Sequence, residues 1–339
     1  MSEQNQQIKL TKRPEGTPTN EHFEIVDIPI NSPNDGEVLI KTIYLSVDPY
    51  MRGRMSAGKS YVKPFEVDKP MNGTIVGEVV TSESESFSKG DLVRGMLPWQ
   101  RYNVVSASYV EKIDPSVAPL TAYLSVLGLT GLTAYFGLLD IGQPKEGETV
   151  VVSAAAGAVG SSVGQIAKIK GAHVVGIAGT DEKIDYLENQ LGFDKAVNYK
   201  DADFKQQLKE ACPNGVDVYF DNVGGEVTDN VISLLNDFAR IPLCGAISTY
   251  NLKPGEDHGP SILPKILKTR TTMKGFIVSD YQEQFPEAIK DLAKWVAEDK
   301  LSYEVTTVDG FENTPTAFLD LFEGKNKGKQ LVKVSEISS

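Results

Sequence analysis

ETVVVSAAAGAVGSSVGQIAKIKGAHVVGIAGT, residues 148–180, carries the architecture of this chain in one stretch. TVVVSAA (149–155) is an apolar, β-branched run of the kind a parallel sheet buries on both faces. Gly157, Gly160 and Gly164 follow at once and open a predicted helix, VGSSVGQIAKIK, that ends at Gly171. HVVGIAG (173–179) then supplies a second strand, so the stretch is one βαβ unit. The first amides of such a helix have no partner within it, and the helix dipole favours negative charge there, so a pyrophosphate is the expected ligand. The spacing GAVGSSVG departs from GxGxxG, and a loose glycine pattern alone is also compatible with a tight structural turn. The flanking strands favour dinucleotide binding, with Gly157 at the turn and Ala158, Val159, Gly160 and Ser161 under the pyrophosphate.

Around this unit, six strand candidates appear at 149–155, 173–179, 196–199, 216–222, 239–245 and 271–278. Helical patterns such as DEKIDYLENQLG (181–192) and DADFKQQLKEA (201–211) lie between them, which predicts an α/β doubly wound parallel sheet. GLTGLTAYFGLLDIG (128–142) reads as a closely packed helix ahead of that sheet. Residues 22–113 have a different character. EVLIKTIYLSV (37–47), MNGTIVGEVV (71–80) and DLVRGMLP (91–98) are strand-like segments separated by turn residues, as in a small barrel or sandwich. After a helix near 281–298 come LSYEVTTV, a helix in FENTPTAFLDLFEGKN and a last strand, KQLVKVSE, able to return to the N-terminal domain. The expected division is 1–127 with 301–339 for the β-rich domain and 128–300 for the nucleotide-binding domain.

A length of 339 residues is itself long for one core. With 34 Lys and Arg against 46 Asp and Glu, the formal charge of −12 disfavours nucleic acid and anionic membranes as partners. The N-terminal MSEQNQQIKLTKRPEG lacks the apolar core of a leader, and no apolar run approaches the length of a membrane span, which reads as a cytoplasmic protein. Cys212 and Cys244 are the only cysteines, so neither a disulfide framework nor a four-cysteine zinc site is available. His22, His173 and His258 have no ligand spacing, and the expectation is no metal.

Several motifs together are more specific than the glycine turn. LSVDPYMRGRM (45–55), LGLTGLTAYFGL (127–138), SAAAGAVGSSVGQIAK (153–168), YFDNVGGE (219–226), CGAISTYN (244–251), MKGFIV (273–278) and GKNKGKQLVKV (324–334) span nearly the whole chain in order. They resemble the zinc-independent double-bond reductases of the medium-chain dehydrogenase/reductase superfamily, a group that includes leukotriene B4 12-hydroxydehydrogenase/prostaglandin reductase, plant alkenal reductases and curcumin-reductase-like enzymes. The resemblance implies a GroES-like domain beside a Rossmann domain, and a homodimer. Zinc alcohol dehydrogenases place a cysteine where this chain has LSVDPY, so a metal-held alkoxide is not the implied chemistry.

What the resemblance implies is NADPH-dependent reduction of the C=C bond of an enal or enone. Hydride arriving at the β-carbon leaves negative charge on the carbonyl oxygen, and one hydroxyl aimed at that oxygen stabilises it. Tyr250 of the ISTYN-type motif is the implied donor; from the residues alone, a tyrosine packed in a loop is the competing reading. Tyr50 in DPYMR is carried over as a wall of the substrate pocket. Arg52 is a candidate substrate contact or a structural ion pair, and Trp99 and Tyr102 are candidate lining residues or core aromatics.

For the cofactor, the second strand ends Ala178-Gly179-Thr180 without the acid that usually meets the ribose hydroxyls of NAD. Lys183 and Tyr199 match positions that surround a 2′-phosphate in the related reductases, which favours NADPH, although Lys183 also reads as an ordinary exposed residue of a helix start. Asn222, then Gly245, Ala246, Ile247 and Ser248, follow strand carboxyl ends, where ligands sit in open α/β sheets. Phe276, Ile277 and Val278 of MKGFIV, and Asn326 of GKNKGK, are further cofactor contacts carried over from the family. The substrate pocket is expected to depend on loops 56–70 and 251–262. A quinone reductase, a binding protein without chemistry, and a hydroxy-eicosanoid dehydrogenase are the alternatives.

Overall fold

A computed structural model of the protein describes residues 4–253, 255–256 and 262–338; His258 and part of the 251–262 loop lie outside them. The chain divides into two units. One comprises the residues up to Leu124, Val305–Asn326 and those from Gln330 onward, the other Ser125–Glu304 with Lys327–Lys329.

In the first unit, Glu37–Ser46 is the hub of a seven-stranded sheet. It pairs antiparallel with Asn72–Ser82, Tyr102–Ser106 and Lys329–Lys333, and the sheet continues through Leu92–Pro98 to Val110–Lys112 on one side and Val305–Asp309 on the other. Irregularities in its pairing with Asn72–Ser82 fall between Leu39 and Ile40 and between Thr42 and Tyr44. They let Val38, Ile40 and Leu45 enter one core cluster while Ile43 enters another. The polar N-terminus, for which the sequence pattern predicts no element, contributes a strand, Asn5–Leu10, antiparallel to Phe23–Ile28. Ile8 and Leu10 are its only apolar side chains and both are fully buried. The Ile8 N–H donates to the Trp99 carbonyl at 2.9 Å, and the Met71 N–H to the Ile8 carbonyl at 3.1 Å. Two apolar residues two apart are too short a period-two signal to stand out.

The second unit carries a six-stranded sheet in the order Lys195–Asn198, His173–Ala178, Thr149–Val152, Val216–Phe220, Leu235–Leu243, Thr272–Gly275, with every ladder parallel. Numbered along the chain this is 3-2-1-4-5-6, the Rossmann order, and its direction reverses between Thr149–Val152 and Val216–Phe220. Ligands bind at that switch point, beyond the strand carboxyl ends. The first strand, expected to reach 155, stops at Val152 because Ala154 takes a left-handed conformation, φ 48°. The fifth, expected from 239, begins at Leu235. The helix expected over 181–192 is an α-helical turn, Asp181–Asp185, followed by a wider π-type turn, Tyr186–Gln190. No helix of the described residues is long and apolar enough to cross a membrane.

Candidate active site

The glycine turn is built from backbone bonds. The Ala155 N–H donates to the Ile177 carbonyl at 2.9 Å, tying the turn to the second strand, and the Gly157 N–H donates to the Ala154 carbonyl at 3.0 Å. The helix Ala158–Ile169 starts at once, with Gly157 as its cap and no side chain capping it. Its first ladder bond runs from the Ser161 N–H to the Gly157 carbonyl at 2.9 Å, so the amides of Ala158, Val159 and Gly160 precede the ladder. A Cβ on Gly160 would stand 2.4 Å from the Ala154 carbonyl oxygen, and one on Gly164 would stand 1.9 Å from the Phe193 ring. Both positions therefore require glycine, the first for the turn and the second for packing of the helix. A residue far along the chain completes this turn. The Gly328 N–H donates to the Ala156 carbonyl at 2.8 Å, and Gly157 and Gly328 form a parallel bridge.

At the end of the second strand, Thr180 caps the next helix by accepting the Lys183 N–H at its hydroxyl, 3.3 Å. Lys183 itself is half-buried, and burial first, then the like charge of Lys200, hold its ammonium below the ordinary lysine pKa. Asp181, the first acid after the strand, is engaged by the Asn198 side-chain amide at 3.2 Å. The Tyr199 ring lies against Gly179, where a Cβ would be 2.7 Å from it. Two lysines repelling one another beside a phenol are a donor set suited to a dianionic phosphate. Lys200 was not singled out from sequence, although it follows Tyr199 directly.

The switch point holds a polar network that sequence reasoning missed. Asp221 is 1% exposed, and its carboxylate accepts from the Tyr219 hydroxyl (2.9 Å), the Thr228 hydroxyl (2.7 Å) and the amides of Val223 and Gly224 (both 2.9 Å). Ser153 accepts the Asn222 N–H at its hydroxyl, 2.9 Å, while the Asn222 side-chain amide donates to the Ser153 carbonyl at 2.8 Å. Strand ends one and four are thereby locked together. The loop 244–250 hangs from this lattice: Cys244 and Gly245 donate to the Asp221 carbonyl at 2.9 and 3.1 Å, Ile247 to Asn222 at 3.3 Å and Ser248 to Val223 at 3.1 Å. It curls so that the Tyr250 hydroxyl accepts the Ala246 N–H at 3.3 Å and lies 3.0 Å from where a Gly245 Cβ would be. Burial raises the Tyr250 pKa, so the phenol keeps its proton at neutral pH. The only sequence signal for Asp221 is its place in DNVGG at a strand end.

Phe276 meets Phe220 edge-on at 6.3 Å, half-buried Ile277 follows, and Val278 is buried at the start of the next turn. The remaining expected residues belong to the first unit. Tyr50 is half-buried, packs on the main core cluster and has its pKa raised by burial and then by Asp48. Arg52 is 3% exposed and donates at 2.9 Å to the Ser56 hydroxyl and, pinning the N-terminal segment, to the Gly16 carbonyl, also at 2.9 Å. Trp99 is fully buried, edge-on to Phe318 at 6.4 Å, within the core cluster. Tyr102, half-buried, borders an open groove of about 800 Å³ with Lys41, Arg101 and residues 334–338. Asn326 is the last residue of the 305–326 segment. Among the described residues, no group of three or more His, Cys, Asp or Glu is placed to hold a metal ion.

Comparison with known proteins matches residues 6–113 to the family described as N-terminal domain of oxidoreductase and residues 158–294 to that described as zinc-binding dehydrogenase. The Bacillus subtilis protein YfmJ is 61% identical over 340 residues, spanning 100% of each chain. The NADPH-dependent curcumin reductase of Escherichia coli is 45% identical over 337 residues, 98% of each. Among solved structures, CurA from Vibrio vulnificus in complex with NADPH superimposes with a TM-score of 0.93 at 46% identity, covering 98% of this chain and 99% of that one.

Proposed function

The chain belongs to the zinc-independent medium-chain dehydrogenases/reductases, in the group of curcumin, prostaglandin and 2-alkenal reductases, and on that basis we propose that it uses NADPH to reduce the C=C bond of α,β-unsaturated aldehydes and ketones. The observation that carries this reading is the Tyr250 phenol. Its oxygen already accepts an N–H from Ala246, so its own proton is left to donate, and burial keeps that proton in place.

NADPH, when bound, supplies a hydride to the substrate β-carbon. The C=C electron pair then shifts toward the carbonyl, and the oxygen gains the charge of an enolate. A preorganised O–H directed at that oxygen lowers the barrier because its alignment is complete before the charge develops. Tyr250 fills this role in our reading, with its loop anchored on the carbonyls of Asp221, Asn222 and Val223. The α-carbon takes its proton afterward, from water or through the same tyrosine. The uncapped amides of Ala158, Val159 and Gly160 suit the pyrophosphate, and Lys183, Tyr199 and Lys200 suit the 2′-phosphate. We also propose a homodimer acting in the cytoplasm, as the family resemblance suggests; a monomeric mass in sedimentation equilibrium would count against the dimer.

The test is absorbance at 340 nm with NADPH or NADH and a panel of 2-alkenals, enones, quinones and alcohols, with products identified by mass. Saturated carbonyls formed at the expense of NADPH are expected. Turnover of quinones alone would replace the proposal with a quinone reductase, and NADPH binding without turnover would leave a binding protein.

A further inference from the structure

The helix that opens at the glycine turn carries a polar side chain that none of the cofactor roles above uses. Gln165, within Ala158–Ile169, is 5% exposed. Its side-chain amide pairs with the backbone of Ser302 as one strand pairs with another: Oε1 accepts the Ser302 N–H at 2.9 Å, and Nε2 donates to the Ser302 carbonyl at 2.9 Å. The Ser302 hydroxyl adds a bond to Oε1 at 3.0 Å, and Nε2 also donates to the Ser161 carbonyl at 3.0 Å. Two N–H donors and one oxygen with two lone pairs are all that a glutamine amide offers, so this one is fully engaged. Because the Ser302 N–H can only donate and its carbonyl only accept, the orientation of the side chain is fixed as well.

The clamp reaches the glycine turn through a short run of backbone. Two residues beyond Ser302, the Glu304 carbonyl accepts the Lys329 N–H at 2.8 Å. Gly328 is wedged against the same carbonyl, since a Cβ on it would stand 2.0 Å from that oxygen, and its N–H donates to the Ala156 carbonyl at 2.8 Å. Ala156 adjoins Gly157, the cap of the helix that bears Gln165. The side chain therefore holds, by way of Ser302, Glu304 and Gly328, the turn from which its own helix starts. An apolar side chain at this position would leave the exposed Ser302 backbone to water and release the segment.

We infer that Gln165 is a positioning residue for dinucleotide binding: by clamping Ser302 it seats Gly328 on the Ala156 carbonyl and so fixes the turn ahead of the uncapped amides of Ala158, Val159 and Gly160. The inference rests on the reading of those amides as the pyrophosphate site and is independent of the chemistry at the C=C bond.

Hydrogen exchange, resolved by NMR on the full chain without added nucleotide, tests it together with fluorescence titration of NADPH and NADH. In Gln165→Met the Gly328 amide should exchange about ten-fold faster, while that of Ala155, held independently by the Ile177 carbonyl, stays as in the wild type; a general loosening would move both. Affinity for NADPH and for NADH should fall about ten-fold each, because the pyrophosphate is common to them. In a Gly328→Ala background, where the bond to Ala156 is already displaced, the same substitution should cost less than about two-fold. Unchanged exchange at Gly328, equal acceleration at Ala155, or equal affinity losses in both backgrounds overturns the inference. Ser302→Ala, which removes only the hydroxyl bond, covers the case in which the methionine variant does not fold; its smaller effect must likewise fall on Gly328 and spare Ala155. Faster exchange at Gly328 with wild-type affinity for both nucleotides would instead remove the glycine turn as the pyrophosphate site.

Discussion

Replacing Tyr250 with phenylalanine removes one oxygen and leaves the ring, and the structure allows its two effects to be sized separately. The first is structural. The Ala246 N–H loses a long bond of 3.3 Å to a half-buried hydroxyl, which costs at most about 1 kcal/mol. The loop does not depend on that bond, because Ile247 and Ser248 still donate to the Asn222 and Val223 carbonyls at 3.3 and 3.1 Å, and the Ser248 hydroxyl to Val223 at 2.6 Å. NADPH affinity should therefore change by no more than about five-fold, the factor to which about 1 kcal/mol corresponds. The second effect is on the enolate. Losing one aligned donor to a developing oxyanion lowers kcat by about 100-fold, or about 2.7 kcal/mol of barrier. Steady-state rates at 340 nm with a 2-alkenal, together with NADPH titration by fluorescence, separate the two. A kcat within about three-fold of wild type, or a loss carried entirely by NADPH binding, refutes the assignment of Tyr250. The sign of the pH dependence is fixed as well. Burial raises the pKa, so the donor form persists through the ordinary tyrosine value near 10, and wild-type kcat should show no fall from phenol ionisation below that pH.

Lys183→Ala should weaken NADPH binding about ten-fold and leave NADH unchanged, because the helix cap uses its backbone N–H and not its side chain; equal losses in fluorescence titrations of both nucleotides would remove the phosphate assignment. Gly164→Ala places a methyl group 1.9 Å from the Phe193 ring and should cost about 2 kcal/mol or more in urea unfolding, part of it recovered by adding Phe193→Leu; an unchanged midpoint would contradict the packing. Burial pushes the thiols of both Cys212 and Cys244 up to about 12. Iodoacetamide at about pH 8 should consequently label the native protein slowly and the urea-unfolded chain fast, and rapid native labelling seen by mass spectrometry would show that the thiols are accessible.

The nucleotide-binding sheet was legible because its three central strands, Thr149–Val152, His173–Ala178 and Val216–Phe220, are largely apolar runs with helix-period segments between them, and the topology rules then leave few arrangements. The Asn5–Leu10 strand was not, since its two buried side chains give almost no pattern. Trp99 illustrates a different limit. An aromatic residue flanked by Pro98 and Gln100 has the same composition in a core as in a pocket, and only its packing against Phe318 separates the two. Ala154 and Asp221 were invisible for a third reason. The left-handed alanine sits in a turn that the next residue, Ala155, ties to Ile177 of the second strand, and the buried carboxylate is held by the hydroxyls of Tyr219 and Thr228 and the amides of Val223 and Gly224, an arrangement that no local propensity encodes. Motif resemblance singles out Tyr250 and Lys183 by position, whereas the bond that the Tyr250 hydroxyl accepts from the Ala246 N–H comes from the curl of the loop.

Gly328 closes on the glycine turn only after residues 305–326 have been given to the other unit. During synthesis, a nascent chain that has emerged as far as Glu304 holds all six strands of the parallel sheet but lacks the bond from Gly328 to Ala156. The glycine turn is then finished late, just ahead of the Lys329–Lys333 strand that follows directly. Truncation ahead of Gly328 should for that reason do more harm to cofactor capture than its distance in sequence from Gly157 suggests, which makes this short return of the chain a checkpoint for its maturation.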